Sequence, residues 1–253
     1  MKAGLIAMAI ASGAIILAAS QTASAYSIYE TTTGDPVRWN RTSITVTLDE
    51  RLALVGDIDE MENEIAMAFD EWVDSASLPV EFDFVRGECE ADGYDPDGGN
   101  ANCITADESF FGADHDAAAT TLLSYVDETG AIRDADIVIR AKEGLWSHGD
   151  IEGEQSLRRA LLHEVGHFLG MSHSDVEMAV MYPTMSSAAE ATSADLHPDD
   201  LDGVSHLYED FAAPVEMMCS TATAGSGGGP SAAALAPFLA VLVFFGARRG
   251  RNR

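Results

Sequence analysis

The sequence predicts an α+β domain, in which a β-sheet is packed against helices. Three observations lead to this prediction. Short segments alternate polar and apolar side chains and contain many β-branched residues, as half-buried strands do. The longer segment Asp57–Asp74 repeats its apolar residues at steps of three and four, which is typical of an amphipathic helix. A second helical segment begins near Ser156, whose hydroxyl can cap its first turn.

The predicted elements follow one another in a simple order. Ser43–Leu48 is the first strand, and the helix over Asp57–Asp74 packs its apolar face on the sheet. Val80–Val85 is the second strand, and Thr120–Val126 and Ala135–Arg140 form a hairpin. Residues 26–212 are enough for one compact core and contain no internal repeat, so we expect a single domain.

The two ends of the chain differ from the part between them. Residues 1–25 have a charged start, an apolar run and the small residues Ala23-Ser24-Ala25, which is typical of a secretory signal peptide. Residues 213–230 are a glycine-rich linker, and residues 231–253 join an apolar stretch to four terminal arginines. The sequence therefore predicts an exported protein that acts outside the cell.

The C-terminal segment allows two interpretations. Its apolar stretch is short for a membrane span, which needs about 20 residues. It is similar to bacterial C-terminal sorting signals, which are cut and exchanged for another anchor, and this similarity suggests a bacterial source. Cys219, just before the linker glycines, is a candidate for that processing. The alternative is a weak membrane anchor with an idle thiol.

The chain is strongly acidic, with 42 acidic residues against 14 basic ones and a formal net charge of −28. A field of this sign repels nucleic acid and anionic lipid. We therefore expect neither as a partner, and we expect membrane contact only through the C-terminal segment. We expect the protein to be a monomer.

The most specific pattern is the string from His163 to His173. On a helix, His163 and His167 are four residues apart, so both imidazoles can reach one ion. Gly170 lets the chain turn, and His173 can then supply a third nitrogen, with water in the fourth position of a zinc ion. Glu164 lies where a carboxylate can take a proton from that water. A bare HExxH also arises by chance, but the third histidine and a downstream methionine make the string far more specific.

This string, followed by Met181-Tyr182-Pro183, resembles the metzincin clan of zinc endopeptidases, and Ser174 is typical of its matrixin (matrix metalloproteinase) branch. The resemblance implies a twisted mixed β-sheet with an active-site helix, an N-terminal backing helix and a C-terminal helix. It also implies one catalytic zinc, a Met-turn at Met181, and hydrolysis of extended polypeptides with Glu164 as general base and acid. The alternative is a surface protein that uses an inactive scaffold of this kind to bind peptide or matrix; the intact Glu164 and histidines argue against it.

The resemblance assigns further residues. Arg159 lines the pocket for the substrate side chain after the scissile bond, where it either makes the pocket shallow or points into solvent. Tyr182 and Pro183 form another wall of that pocket. Asp199 and Asp200 either tie the C-terminal helix to the Met-turn or are ordinary acids in its first turn.

The resemblance has two further implications for the pair of strands before the active-site helix. Ala119–Tyr125 is the better match to the edge strand that pairs with substrate. The family's second, structural zinc has histidines on this pair of strands; the stretches Thr120–Leu123 and Asp136–Ile139 have none, so we expect one zinc.

Residues 86–118 replace the family's metal-binding loop with an acidic, cysteine-bearing segment. Cys89 and Cys103 are predicted to form a disulfide in an exported protein. The acids around Asp92, Asp95 and Asp97 either gather around calcium or form a solvated loop, and their departure from EF-hand spacing favours the second.

Overall fold

The structure is a computed structural model that describes residues 25–98, 100–112, 117–147, 155–185, 195–211 and 238–247. The predicted signal peptide, apart from Ala25, and the predicted linker lie outside these ranges, so both remain predictions. Cys219 also lies outside them.

The described residues form a mixed sheet and three α-helices. The sheet has the strand order β2-β1-β3-β5-β4-β9-β8, and β6 and β7 form a separate two-stranded pair. Its strands are β1 (Ser43–Leu48), β2 (Glu81–Arg86), β3 (Asn102–Ala106), β4 (Ala117–Val126), β5 (Ile132–Ile139), β8 (Thr184–Met185) and β9 (Phe238–Ala247). The short pair is β6 (Trp146–Ser147) and β7 (Gln155–Ser156). The helices are α1 (Ile58–Ala76), α2 (Leu157–Leu169) and α3 (Pro198–Tyr208).

The strands β2, β1, β3 and β5 are parallel, and β4 joins β5 as the antiparallel partner of a hairpin. This mixed sheet with an N-terminal helix, a second helix carrying the histidines and a C-terminal helix is the predicted fold class, which is confirmed. The first strand and the hairpin also lie where the sequence places them, within a few residues.

Helix α1 backs the sheet with the apolar face that its sequence predicts. Asp57 caps it by accepting the N–H groups of Asp59 and Glu60, and its side chains Met61, Ile65, Phe69 and Trp72 are buried in the main core. The indole N–H of Trp72 donates to the carbonyl of Leu162 at 2.9 Å. Because Leu162 lies in α2, this bond fixes the helix with the histidines against the backing helix.

Strand β3 lies inside the range 86–118 that the sequence treats as a replacement loop. It pairs with both β1 and β5, so it is an interior strand of the sheet. Its residues Cys103–Ala106 are all buried, which removes the alternation by which an amphipathic strand is recognised. The range 86–118 is therefore not one loop, because it contains this interior strand.

Strand β9 comes from the C-terminal apolar stretch and pairs antiparallel with β4 along its whole length, from Ala117 to Val126. It thus covers the edge of the sheet that the sequence assigns to substrate. No helix in the described ranges has the length and apolar character that a membrane crossing requires.

The predicted disulfide is present, with the Cα atoms of Cys89 and Cys103 5.8 Å apart. It joins the residues before β3, which we call the covering loop (residues 87–101), to β3 itself. Cys103 is fully buried. The disulfide therefore attaches the N-terminal part of the covering loop, at Cys89, to an interior strand of the sheet.

We expect the double replacement Cys89→Ala/Cys103→Ala to lower the free energy of unfolding by about 3 kcal/mol, because the bond restricts the unfolded chain over a loop of 14 residues. Chemical denaturation under oxidising conditions measures this. A reductant should reproduce the loss in the wild-type protein and leave the double variant unchanged. Equal denaturation midpoints for the two proteins would contradict the prediction.

Candidate metal centre

Helix α2 places the first two histidines and then ends where the sequence predicts. The Ser156 hydroxyl accepts the N–H of Arg159 at 3.3 Å and so caps the helix. The helix stops at Gly170, which has a φ of +105°. A Cβ atom there would lie 2.1 Å from the carbonyl oxygen of Val37, so only glycine fits. The turn brings His173 back towards the two histidines of the helix.

The three imidazole rings lie around one common point. The ring centroids of His163 and His167 are 4.6 Å apart, and that of His173 lies 5.3 Å and 4.9 Å from them. One nitrogen of each ring lies within 4.8 Å of the other two. The structure therefore brings together the three histidines that the sequence predicts.

Backbone carbonyls fix the tautomer of each helical histidine. Nδ1 of His163 donates to the carbonyl of Val180 at 2.7 Å, and Nδ1 of His167 donates to that of Met171 at 2.8 Å. Both Nε2 atoms therefore present lone pairs, and they lie 3.0 Å apart. Two facing lone pairs repel unless a cation lies between them. Nε2 of His173 is buried without a hydrogen-bond partner in the described residues, so it can be the third nitrogen ligand of the same ion.

Burial keeps all three rings in the form that binds metal. Burial, with the neighbouring rings as a smaller cause, lowers the pKa of His163 well below the usual value and the pKa of His167 to about 3. Burial also lowers the pKa of His173. A metal ligand must be neutral imidazole, and three nitrogen donors with a fourth position for water suit zinc. The residues present therefore fit the zinc ion that the family implies.

Glu164 lies beside the histidines with one oxygen held and one free. Its Oε2 accepts a hydrogen bond from the Thr121 hydroxyl at 2.6 Å. Its Oε1 is buried and has no partner. Burial raises the pKa of Glu164 to about 8, and the bond from Thr121 opposes that rise. The carboxylate is thus oriented by β4 and suited to accept a proton. The sequence gives no indication of Thr121, because a threonine in a strand is an ordinary residue.

The Met-turn lies beneath the histidines. Met181 is fully buried, and its carbonyl accepts the N–H of Ser174 at 2.9 Å. Gly166, between the two helical histidines, makes room for it, since a Cβ there would lie 2.2 Å from Sδ of Met181. The sequence string thus needs glycine at position 166 as well as at 170.

Asp200 connects this turn to the C-terminal helix. Its two carboxylate oxygens accept the N–H groups of Val180 and Met181 at 2.8 and 3.0 Å, and also that of His197. Asp199 accepts the hydroxyl of Ser174 at 2.6 Å. Of the two interpretations of these acids, the structure supports the tie to the Met-turn.

The predicted pocket residues lie around the same turn. Arg159 is only 7 % exposed, and its guanidinium donates to the carbonyl of Ala179 at 2.7 Å. The alternative in which Arg159 points into solvent is therefore wrong. Tyr182 and Pro183 are half-buried and directly follow Met181.

Tyr29 is a neighbour of the site that the sequence does not reveal. Its N–H donates to the carbonyl of Gly170 at 3.0 Å, and its ring centroid lies 6.0 Å from that of His167. Burial, and then the charge of Glu164, raise the pKa of its hydroxyl. The N-terminal segment has no motif, so only the folded chain shows this contact.

The acids of the covering loop hold their own turn. Asp95 accepts the N–H of Asp97 at 2.8 Å, and its own N–H and carbonyl bond the side chain of Asn100 at 2.6 Å each. These residues are exposed. This arrangement supports the interpretation as a solvated acidic loop.

An α+β domain with these elements, two helical histidines, a third after a glycine turn and a methionine turn beneath them defines the metzincin class of zinc-binding catalytic domains. Residues 38–209 match the Matrixin model of the M10 peptidases. The chain belongs to the matrixin family.

Similarity to individual proteins supports the same assignment. The chain is 28% identical over 180 residues to Metalloendoproteinase 2-MMP of Arabidopsis thaliana, covering 69% of this chain and 43% of that protein. It is 42% identical over 67 residues to Matrix metalloproteinase-19 of Mus musculus, covering 26% of this chain and 12% of that protein. The chain therefore spans less than half the length of these relatives.

We expect Gly166→Ala to disrupt the metal centre, because the added methyl group would overlap Met181 and also approach Trp72 to 2.9 Å. The expected result is a lower melting temperature and less than one zinc per chain, measured by circular dichroism and elemental analysis. Gly87→Ala is the control, since its added methyl meets only a Thr47 side-chain methyl at 3.3 Å. A Gly166→Ala protein as stable and zinc-loaded as this control would contradict the role of Gly166.

Proposed function

We propose that the protein is an exported zinc endopeptidase that hydrolyses peptide bonds in extended polypeptides. The observation that carries this proposal is the convergence of three imidazole nitrogens beside the unpartnered Oε1 of Glu164. Membership of the matrixin family and the similarity to proteins named metalloendoproteinases support it. We expect the protein to act as a monomer with one catalytic zinc.

The chemistry divides between the metal and this chain's residues. A bound zinc supplies a Lewis acid that polarises the scissile carbonyl and lowers the pKa of water. Glu164 takes a proton from the attacking water through Oε1 and later gives it to the leaving amine. The Thr121 hydroxyl holds Oε2, so the carboxylate keeps one orientation through both steps.

The peptide is expected to lie along β4, because that strand carries Thr121 and becomes the edge of the sheet next to α2 when β9 is withdrawn. An extended peptide can add to such an edge through backbone hydrogen bonds. Strand β9 pairs with the same backbone groups. We therefore infer that the C-terminal segment and the substrate compete for β4, and that cutting or withdrawing this segment exposes the substrate edge.

The pocket residues suggest a limit on the substrate side chain. Arg159 is fixed by its bond to Ala179 beside the Met-turn, so it cannot move out as a mobile surface cation would. We propose that it makes the pocket after the scissile bond shallow, with Tyr182 and Pro183 as another wall. Small side chains at that substrate position are then preferred over long ones, and a peptide library with this position varied tests the preference.

We expect Glu164→Ala to lower the rate of peptide hydrolysis by at least about 100-fold, which is the usual range for losing a general base. It should keep one zinc per chain, because Glu164 is not a ligand. The measurement is cleavage of casein or a quenched peptide, with zinc content determined in parallel. Glu177→Ala, which changes an exposed acid between His173 and Met181, serves as the control. An active Glu164→Ala protein contradicts the mechanism, and a wild-type protein that binds peptide without cleaving it favours the scaffold alternative.

We expect the double replacement Val241→Pro/Val243→Pro to raise kcat/KM several-fold, mainly through a lower KM. Proline cannot donate to a strand ladder, and these residues pair with Leu123 and Thr121. A chain that ends at residue 211 should show the same increase. Initial rates on a quenched peptide measure both. Unchanged kinetic constants in both proteins would contradict competition for β4.

A further inference from the structure

Strand β9 lies between two rims of the metal centre. It pairs antiparallel with β4 and parallel with β8, so it is the strand between them in the sheet. Strand β8 directly follows Tyr182 and Pro183, the proposed wall of the substrate pocket. Cα atoms of β9 also lie within 8 Å of Cα atoms of α2, the helix that carries His163 and His167. Strand β9 therefore takes the backbone positions that an extended substrate would take.

The register of β9 identifies the part of this strand that is nearest to Glu164. Thr121 of β4, whose hydroxyl donates to Oε2 of Glu164 at 2.6 Å, is paired with Val243. The next two residues of β4 pair with Leu242 and Val241. Paired residues of adjacent antiparallel strands have Cα atoms about 4.5–5.5 Å apart. The backbone of β9 around Val243 therefore passes beside the residue that orients the proposed general base.

We propose that the protein cuts its own C-terminal segment at the peptide bond between Leu242 and Val243. This inference rests on the proposed peptidase function and names β9 of the same chain as a substrate. The register limits the cut to the few bonds of β9 next to Thr121. Among the residues there, valine is smaller than its neighbours Leu242 and Phe244, and the pocket that Arg159 makes shallow favours a small side chain after the scissile bond.

The cut is a hydrolysis and needs no reactant other than water. The oxygen of one water joins the carbonyl carbon of Leu242, and the C–N bond to Val243 breaks. Glu164 takes a proton from the water and gives it to the leaving nitrogen. The products are a carboxylate on Leu242 and a free amine on Val243.

The cut removes the part of β9 that covers the site. The released residues 243–253 include the pairing partner of Thr121 and both residues that pair with β8, Gly246 and Ala247. They also include the four C-terminal arginines. One reaction therefore opens the substrate edge beside Thr121 and separates the catalytic domain from the basic end of the chain. The protein is made with a covered site and uncovers it without a second protease.

The test starts from the full-length protein, purified without zinc in a non-ionic detergent. After zinc is added, intact-mass spectrometry should show the release of residues 243–253 as one peptide. Cleavage of a quenched peptide in the same sample should begin slowly and accelerate as the intact chain disappears. The time constant of self-cleavage should not change on dilution, because the site and the bond belong to one chain. Glu164→Ala should bind zinc and stay intact, which excludes a contaminating protease.

Two tryptophan variants test the assignment of the bond. Val243→Trp puts a large side chain into the shallow pocket, so we expect self-cleavage to slow by at least about 10-fold, the lower end of what an apolar pocket achieves against an extra group. Leu239→Trp is the matched control, because Leu239 pairs with Tyr125, away from Thr121. This control should be cut at the wild-type rate.

Three results would overturn the proposal. The first is a wild-type protein that hydrolyses the quenched peptide while its own chain stays intact, which leaves the peptidase function in place and removes only the self-cleavage. The second is cleavage at another bond, or equal self-cleavage rates in the two tryptophan variants. The third is a rate constant that rises in proportion to protein concentration, since one molecule then cuts another. A protein that cleaves neither the peptide nor itself contradicts the proposed function as well.

Discussion

The metal centre depends on two hydrogen bonds from imidazole to backbone. Val180 and Met171 each accept an Nδ1 proton, and this forces the Nε2 lone pairs of His163 and His167 towards one point. Without these bonds each ring could carry its proton on the other nitrogen, and the helix spacing alone would not make a ligand set. The carbonyls come from the Met-turn region and from the residue after Gly170. The fold around the site therefore serves largely to hold these two carbonyls in position.

The turn at Met181 is held from several directions at once. Asp200 binds its backbone from α3, Arg159 binds Ala179 from α2, and Gly166 leaves space for the methionine side chain. Each contact fixes the Val180 carbonyl, which in turn fixes His163. The C-terminal helix thus contributes to the metal centre although none of its residues is a ligand. On the other side, β4 orients Glu164 through Thr121.

The sequence predicts the parts of this arrangement that depend on local spacing. The histidine string, the helix α1 and the β4–β5 hairpin are recognisable because ligand geometry and amphipathic periods leave a pattern in adjacent residues. Strand β3 is missed because an interior strand buried on both faces lacks alternation. Thr121 and Tyr29 are missed because their partners are distant in the chain.

The central claim is that three imidazoles hold one zinc with a fourth position left for water. Zinc K-edge X-ray absorption of the loaded full-length protein tests it most directly. The account predicts one zinc per chain with three nitrogen neighbours and one oxygen neighbour at about 2.0–2.1 Å. A protein that retains no zinc after careful loading, or an absorption spectrum that requires a fourth histidine or a sulfur ligand, would contradict it.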